Sequence, residues 1–204
     1  MTSTLVAQLV EREGLLPLLA SRERGVVPRE SEVADVVARA QILAVGAAAD
    51  AARRRECGDE TRIHIPTAPP ATDALVVIGG DTVARGTALL RRIALLRLGG
   101  PIALRIVVDF GALGLEIAQV ALSFGATDLA GPILSRRATP EPLGLRQGSL
   151  PILDRDDSKK LVKRREIAAY VERAGFRPVF VTAEAQSDGR SVPPESAPRA
   201  HADS

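Results

Sequence analysis

The sequence predicts an α/β protein: a partial (β/α) barrel-like parallel sheet preceded by N-terminal helices. Three observations carry that expectation. Residues 74–78 are a continuous apolar run of the kind found in strands buried on both faces, and 102–108 read as a second buried strand. Each leads through a short turn into a helix-length segment, the signature of right-handed βαβ units. Upstream of both, two long segments place apolar residues at helical spacing, with no strand pattern between them.

Taken in order, residues 4–20 carry Leu5, Val6, Leu9, Val10, Leu15 and Leu16 at helical intervals, and a turn comes around residues 24–28. Ser31 can cap a helix over 32–55 that buries Val33, Val36, Val37, Ala40, Leu43 and Ala47, with Gly58 as its stop. Residues 62–65 form a short strand, ended by Pro66 and the proline-rich run to Pro70. The strand 74–78 leads through Gly79, Gly80, Asp81 and Thr82 into a helix over 83–98, which Gly99, Gly100 and Pro101 break. The strand 102–108 ends at Asp109, a helix spans 113–124 up to Gly125, and 127–129 make a third short strand. Residues 134–158 read as a long loop, 158–174 as a helix closed by Gly175, and 178–182 as a last strand. Residues 1–184 are thus expected to form a single domain: N-terminal helices (1–58), βα units (61–133), the loop, and a closing helix and strand (159–184). The polar, proline-rich residues 185–204 read as a disordered tail.

Composition narrows the function. A 46% hydrophobic fraction supports a globular core, and 2% aromatic content makes that core aliphatic. The net charge of +2 over an evenly mixed surface gives no nucleic-acid footprint. No segment reaches the roughly 18 uninterrupted apolar residues of a membrane span, and the N-terminus lacks a signal-peptide pattern, so a cytoplasmic location is expected. The lone Cys57 excludes an internal disulfide and any multi-thiolate metal site.

Three places can hold a ligand. Gly79, Gly80, Asp81 and Thr82 lie between a strand and a helix N-terminus, where backbone amides can bind a phosphate or carboxylate; Asp81 or Thr82 serves equally as an ordinary cap. Asp109 ends a buried strand before Gly111, where α/β folds place their chemistry, and a capping role competes with that. Asp128 occupies a comparable position in the next unit. The three acids can converge on one mouth, to hold a divalent cation or to bond a ribose. His64 alternates with Ile63 and Ile65 and faces away from them, and His201 lies in the tail, so a histidine metal site or a Ser-His-Asp triad is not expected. Cys57 stands beside the run Arg53-Arg54-Arg55, which can raise a thiol's reactivity, but no second motif supports a nucleophile. The basic run ending at Arg165, with Glu166 after it, reads as a solvated helix face.

The run DFGALGLEIAQVALSFGATDLAGPI (109–133) resembles the end of the barrel in radical S-adenosylmethionine enzymes of the futalosine route to menaquinone: aminofutalosine synthase, dehypoxanthine futalosine cyclase and the related deazaflavin synthase subunits. The family pattern AQVAL-F-GADDLDGT stands here as Ala118 to Leu122, Phe124 to Gly131, with Thr127 and Ala130 at two of the acidic positions, Pro132 for the threonine, and Asp128 retained. ILAVGAAADAARRRECGDE (42–60) is similar to the helix before the family's first barrel strand, and LVKRREIAAYVERAGFRPVFVT (161–182) to its closing helix and strand. The resemblance thus covers both ends of a barrel whose middle is missing. It implies a [4Fe–4S] cluster held by three thiolates in a CxxxCxxC loop, which one cysteine cannot supply. No iron–sulfur cofactor is therefore expected. A relative without its cluster is expected to be a non-catalytic partner subunit or scaffold, self-associated or paired with a full-length relative. The alternative is a protein that binds a nucleoside or S-adenosylmethionine-like small molecule through Gly79, Gly80, Asp81, Thr82, Asp109 and Asp128. A cluster-independent enzyme with an aspartate base is a third reading.

Overall fold

The computed structural model describes residues 4–65, 75–79, 86–134 and 162–182. Four helices come first: α1 (Thr4–Arg12), α2 (Leu16–Glu23), α3 (Glu30–Arg39) and α4 (Ile42–Cys57). Strands β1 (Glu60–Ile65) and β2 (Leu75–Ile78) precede α5 (Gly86–Gly99), β3 (Arg105–Asp109), the single-turn α6 (Phe110–Leu113), α7 (Leu115–Leu122) and β4 (Asp128–Ala130). Then come β5 (Ile133–Leu134), β6 (Val162–Lys163), α8 (Arg164–Arg173) and β7 (Arg177–Thr182). Five strands form one parallel sheet in the order β2-β3-β4-β1-β7, and β5 pairs with β6 separately. The α/β class and the parallel sheet are as expected. The strand order is not the chain order, because β1 lies between β4 and β7 and is separated from β2.

Several elements differ from the sequence expectation for local reasons. The helix expected over 4–20 is two, because Gly14 takes a positive φ of 75° and turns the chain between them. The helix expected over 32–55 is also two. Ala40 is extended (ψ 152°), and the Gln41 amide donates to the Glu13 carboxylate at 3.0 Å, so α4 starts on a carboxylate from the loop after α1. Ser31 lies inside α3, whose extended N-cap is Arg29. Residues 102–104 belong to a turn rather than to β3, since Ala103 has φ 58° and the Leu104 amide bonds the Pro101 carbonyl. Gly114, at φ 88°, splits the expected helix 113–124 into α6 and α7. The pair β5–β6 is not legible in the sequence as strands. Residues 135–158 of the expected loop, the tail 185–204, and Gly80, Asp81 and Thr82 lie outside the described residues.

The two sheet faces differ. Ile63, Ile78, Ile106, Val108 and Leu129 join one contiguous core with Ala44, Val45 and Ala48 of α4, Ile93 and Leu98 of α5, Ala118 and Leu122 of α7, and Ile167 and Val171 of α8. Alternation sends their neighbours Val107, Ala130, Val179 and Val181 to the opposite face, where they are buried but stand outside that core. The core-forming described helices therefore pack on a single face.

Two buried arginine networks tie the helices to the strand starts. Arg53 of α4 donates to the carbonyls of Ala126, Gly58 and Glu60 and to Thr61 Oγ1, and its guanidinium stacks 3.8 Å from the Phe176 ring centroid. Burial lowers its pKa to about 10, with Asp50 opposing, which leaves it charged at neutral pH. Glu56 accepts both arms of Arg22 (2.6 and 2.8 Å), Arg97 Nη1 (3.3 Å) and the Ala103 amide (3.1 Å). Arg97 also donates to the carbonyls of Leu104 and Gly125. Gly125 is required at that turn: its φ is 103°, and a Cβ there would sit 2.7 Å from Arg97 Cβ. Gly125→Ala is expected to destabilise by about 2 kcal/mol through backbone strain and overpacking, read as a lower urea midpoint at unchanged slope.

Candidate functional site

The sheet face opposite the described core helices carries most of the sheet's polar side chains, and strand register explains how they meet. Arg62 of β1 is level with Asp128 of β4 and Val179 of β7, and Asp128 is level with Val107 of β3. His64 lies two residues above Arg62 and Arg105 two below Val107, so period-two alternation points all four polar groups to one side. The Asp128 carboxylate is 1% exposed. It accepts Arg105 Nε on Oδ2 and Arg105 Nη2 on Oδ1, both at 2.8 Å, while His64 Nε2 lies 3.0 Å from Oδ1. Burial opposes its ionisation, but the His64 and Arg105 hydrogen bonds outweigh that and hold the carboxyl below the usual carboxylate range. Arg105 is 21% exposed, so the pair reaches the edge of the buried region.

Asp109 lies at the C-terminal end of β3, level with Ala130. Its Oδ1 accepts the amides of Gly111 (2.8 Å) and Ala112 (3.2 Å), which makes it the N-cap of α6. Gly79 is its neighbour on β2: a Cβ built there would lie 3.5 Å from Asp109 Cβ. Asp109 and Asp128 share a face but not a rim. Asp128 opens β4 instead of ending it, two residues below Ala130, and each carboxylate is engaged with its own donors. Among the described residues no group of three His, Cys, Asp or Glu side chains is placed to hold a metal ion.

No local motif in the sequence joins Arg105 to His64. Alternation places His64 opposite Ile63, but only register shows that it meets Asp128, 64 positions away. The arginines beside Cys57 are committed elsewhere: Arg53 is buried in its carbonyl network, Arg54 pairs with Asp50, and Arg55 pairs with Glu23. Cys57 closes α4, immediately before β1 begins, at the end of the sheet opposite the strand C-termini. The chain has no other thiol, and its residues do not fit a three-thiolate cluster.

No protein-family model, curated protein or solved structure matches the chain. Among the described residues no helix is long and apolar enough to cross a membrane.

Proposed function

We propose that the chain is a cluster-less, non-catalytic relative of the futalosine-route radical S-adenosylmethionine enzymes, acting in the cytoplasm as a partner subunit or scaffold. The observation that carries this reading is the parallel pairing of β1 with β4, Arg62 with Asp128 and Ile63 with Leu129. β1 comes directly after the segment similar to the helix before the family's first barrel strand, and β4 lies in the run similar to the barrel's end. In a closed (β/α) barrel the first and last strands are neighbours. On this reading the sheet is a piece of barrel wall, with the described core helices outside, the Asp128 face inside, and β7, from the segment similar to the family's closing helix and strand, on the other side of β1. Among the described residues β2 and β7 are the edges of this wall, and a parallel edge left uncovered templates pairing with a second chain.

Affinity purification of the tagged protein from its own host, with mass spectrometry of the bound fraction, tests this. Stoichiometric recovery of a complete radical enzyme or of a second copy is expected. A reconstituted preparation that binds iron and cleaves S-adenosylmethionine would overturn it. Cys57→Ser is expected to change stability by no more than about 0.5 kcal/mol and to leave partner recovery intact, because the thiol has no assigned partner in this reading.

The polar side chains on the face opposite the described core helices favour a second reading, a binding protein for a nucleoside-like small molecule that uses Asp109, Asp128 and Gly79, with Gly80, Asp81 and Thr82 outside the described residues. Its test is thermal shift with S-adenosylmethionine, adenosine and futalosine-type nucleosides; flat responses count against it.

A further inference from the structure

We propose that the sheet face opposite the described core helices binds an oxyanion, the phosphate or carboxylate of a small molecule, with Arg62 as the group that grips it. The proposal shares a face with the small-molecule reading and names the ligand chemistry there; it does not depend on kinship to radical enzymes.

Arg62 stands on β1, which has strands on both sides. Such positions in a parallel sheet are ordinarily apolar, and the adjoining residues of this face, Val107, Ala130, Val179 and His64, are buried. Arg62 alone in that row is exposed. Two carboxylates flank it, Asp128 level with it on β4 and Glu60 two residues earlier on the same strand. Neither pairs with it. Asp128 is taken by both arms of Arg105 and by His64, and Glu60 is bound by Arg177, its register partner on β7. Three arginines, 62, 105 and 177, thus face two carboxylates, and among these described groups Arg62 is the cation without a carboxylate. Its planar fork of N–H donors matches an oxyanion in two-point geometry. Asp128 and Glu60, already neutralised, do not repel the incoming anion as free carboxylates would.

The test is isothermal titration of the full chain with inorganic phosphate and, separately, with succinate at constant ionic strength, which distinguishes the two oxyanion sources. Saturable binding of one of them is expected, weakened roughly tenfold or more in Arg62→Gln and less in Arg62→Lys, which keeps the charge but loses the fork. Arg55→Gln, which removes an exposed arginine of α4 that pairs with Glu23 away from this face, is the control and is expected to bind within about twofold of the parent. Absence of saturable binding to either anion, or equal weakening by Arg62→Gln and Arg55→Gln, overturns the proposal. The nucleoside thermal shifts are a separate experiment, so failure of one reading is distinguishable from failure of the other.

Discussion

Glu56→Ala is expected to destabilise the protein by about 4 kcal/mol, the largest effect of any single substitution considered, because it leaves two buried guanidinium groups without their shared carboxylate. Arg22 is 2% and Arg97 0% exposed at the side chain, so neither turns to water without disturbing α2 or α5. The variant also strips the Ala103 amide of its acceptor, at the strained turn that leads into β3. Burial opposes ionisation of Glu56, yet the bonds from Arg22, the Ala103 amide and the Arg97 charge together hold its pKa below the usual value. Urea denaturation gives the measurement, and a loss below about 1 kcal/mol would show that the backbone carbonyls around Arg22 and Arg97 suffice alone.

Asp128→Ala is expected to cost about 3 kcal/mol, less than Glu56→Ala because the partly exposed Arg105 recovers some hydration. The same residue predicts a pH dependence. Its folded pKa, like that of Glu56, lies below the unfolded value, so the folded state binds fewer protons than the unfolded chain across the acid range. The corresponding stabilisation is fully present above the unfolded carboxylate pKa and is lost as pH falls through the depressed folded value. Thermal melts from pH 7 downward are therefore expected to fall steeply below about pH 4, and Asp128→Asn is expected to flatten that acid limb. An acid limb identical in parent and variant would remove Asp128 from the account.

Legibility in the sequence tracks the range of each interaction. The apolar run 75–78 marks β2 and the apolar residues 106–108 mark β3 because composition is local, and Gly58 and Gly175 mark helix ends because positive φ is a property of one residue. The splits at Gly14, Ala40 and Gly114 are hidden because apolar periodicity continues across them; the Gln41 amide bonds a carboxylate 28 positions away. The candidate site divides the same way. Asp109 is legible as a cap from the two residues after it. The meeting of His64, Arg105 and Asp128 depends on three strands lying in one register, and that register depends on β1 inserting between β4 and β7. The burial of Arg22, Arg53 and Arg97 is likewise hidden in a sequence rich in arginine, because their carbonyl and carboxylate partners lie far along the chain or in turns.

The insertion of β1 has a kinetic consequence. Its neighbours lie far ahead in the chain: Ile63 waits for Leu129 and Glu60 for Arg177, a separation of 117 positions. During synthesis this strand emerges with both edges bare, and its sheet hydrogen bonds are complete only once the chain has been made as far as β7. Such pairing closes long loops before any contact rewards them, which slows folding and lengthens the time for which a sticky strand is exposed. The early helices α1, α2 and α4, of which the first two each contact α4 without any later strand, can assemble during that interval and shield one side of the nascent strand until β4 and β7 arrive.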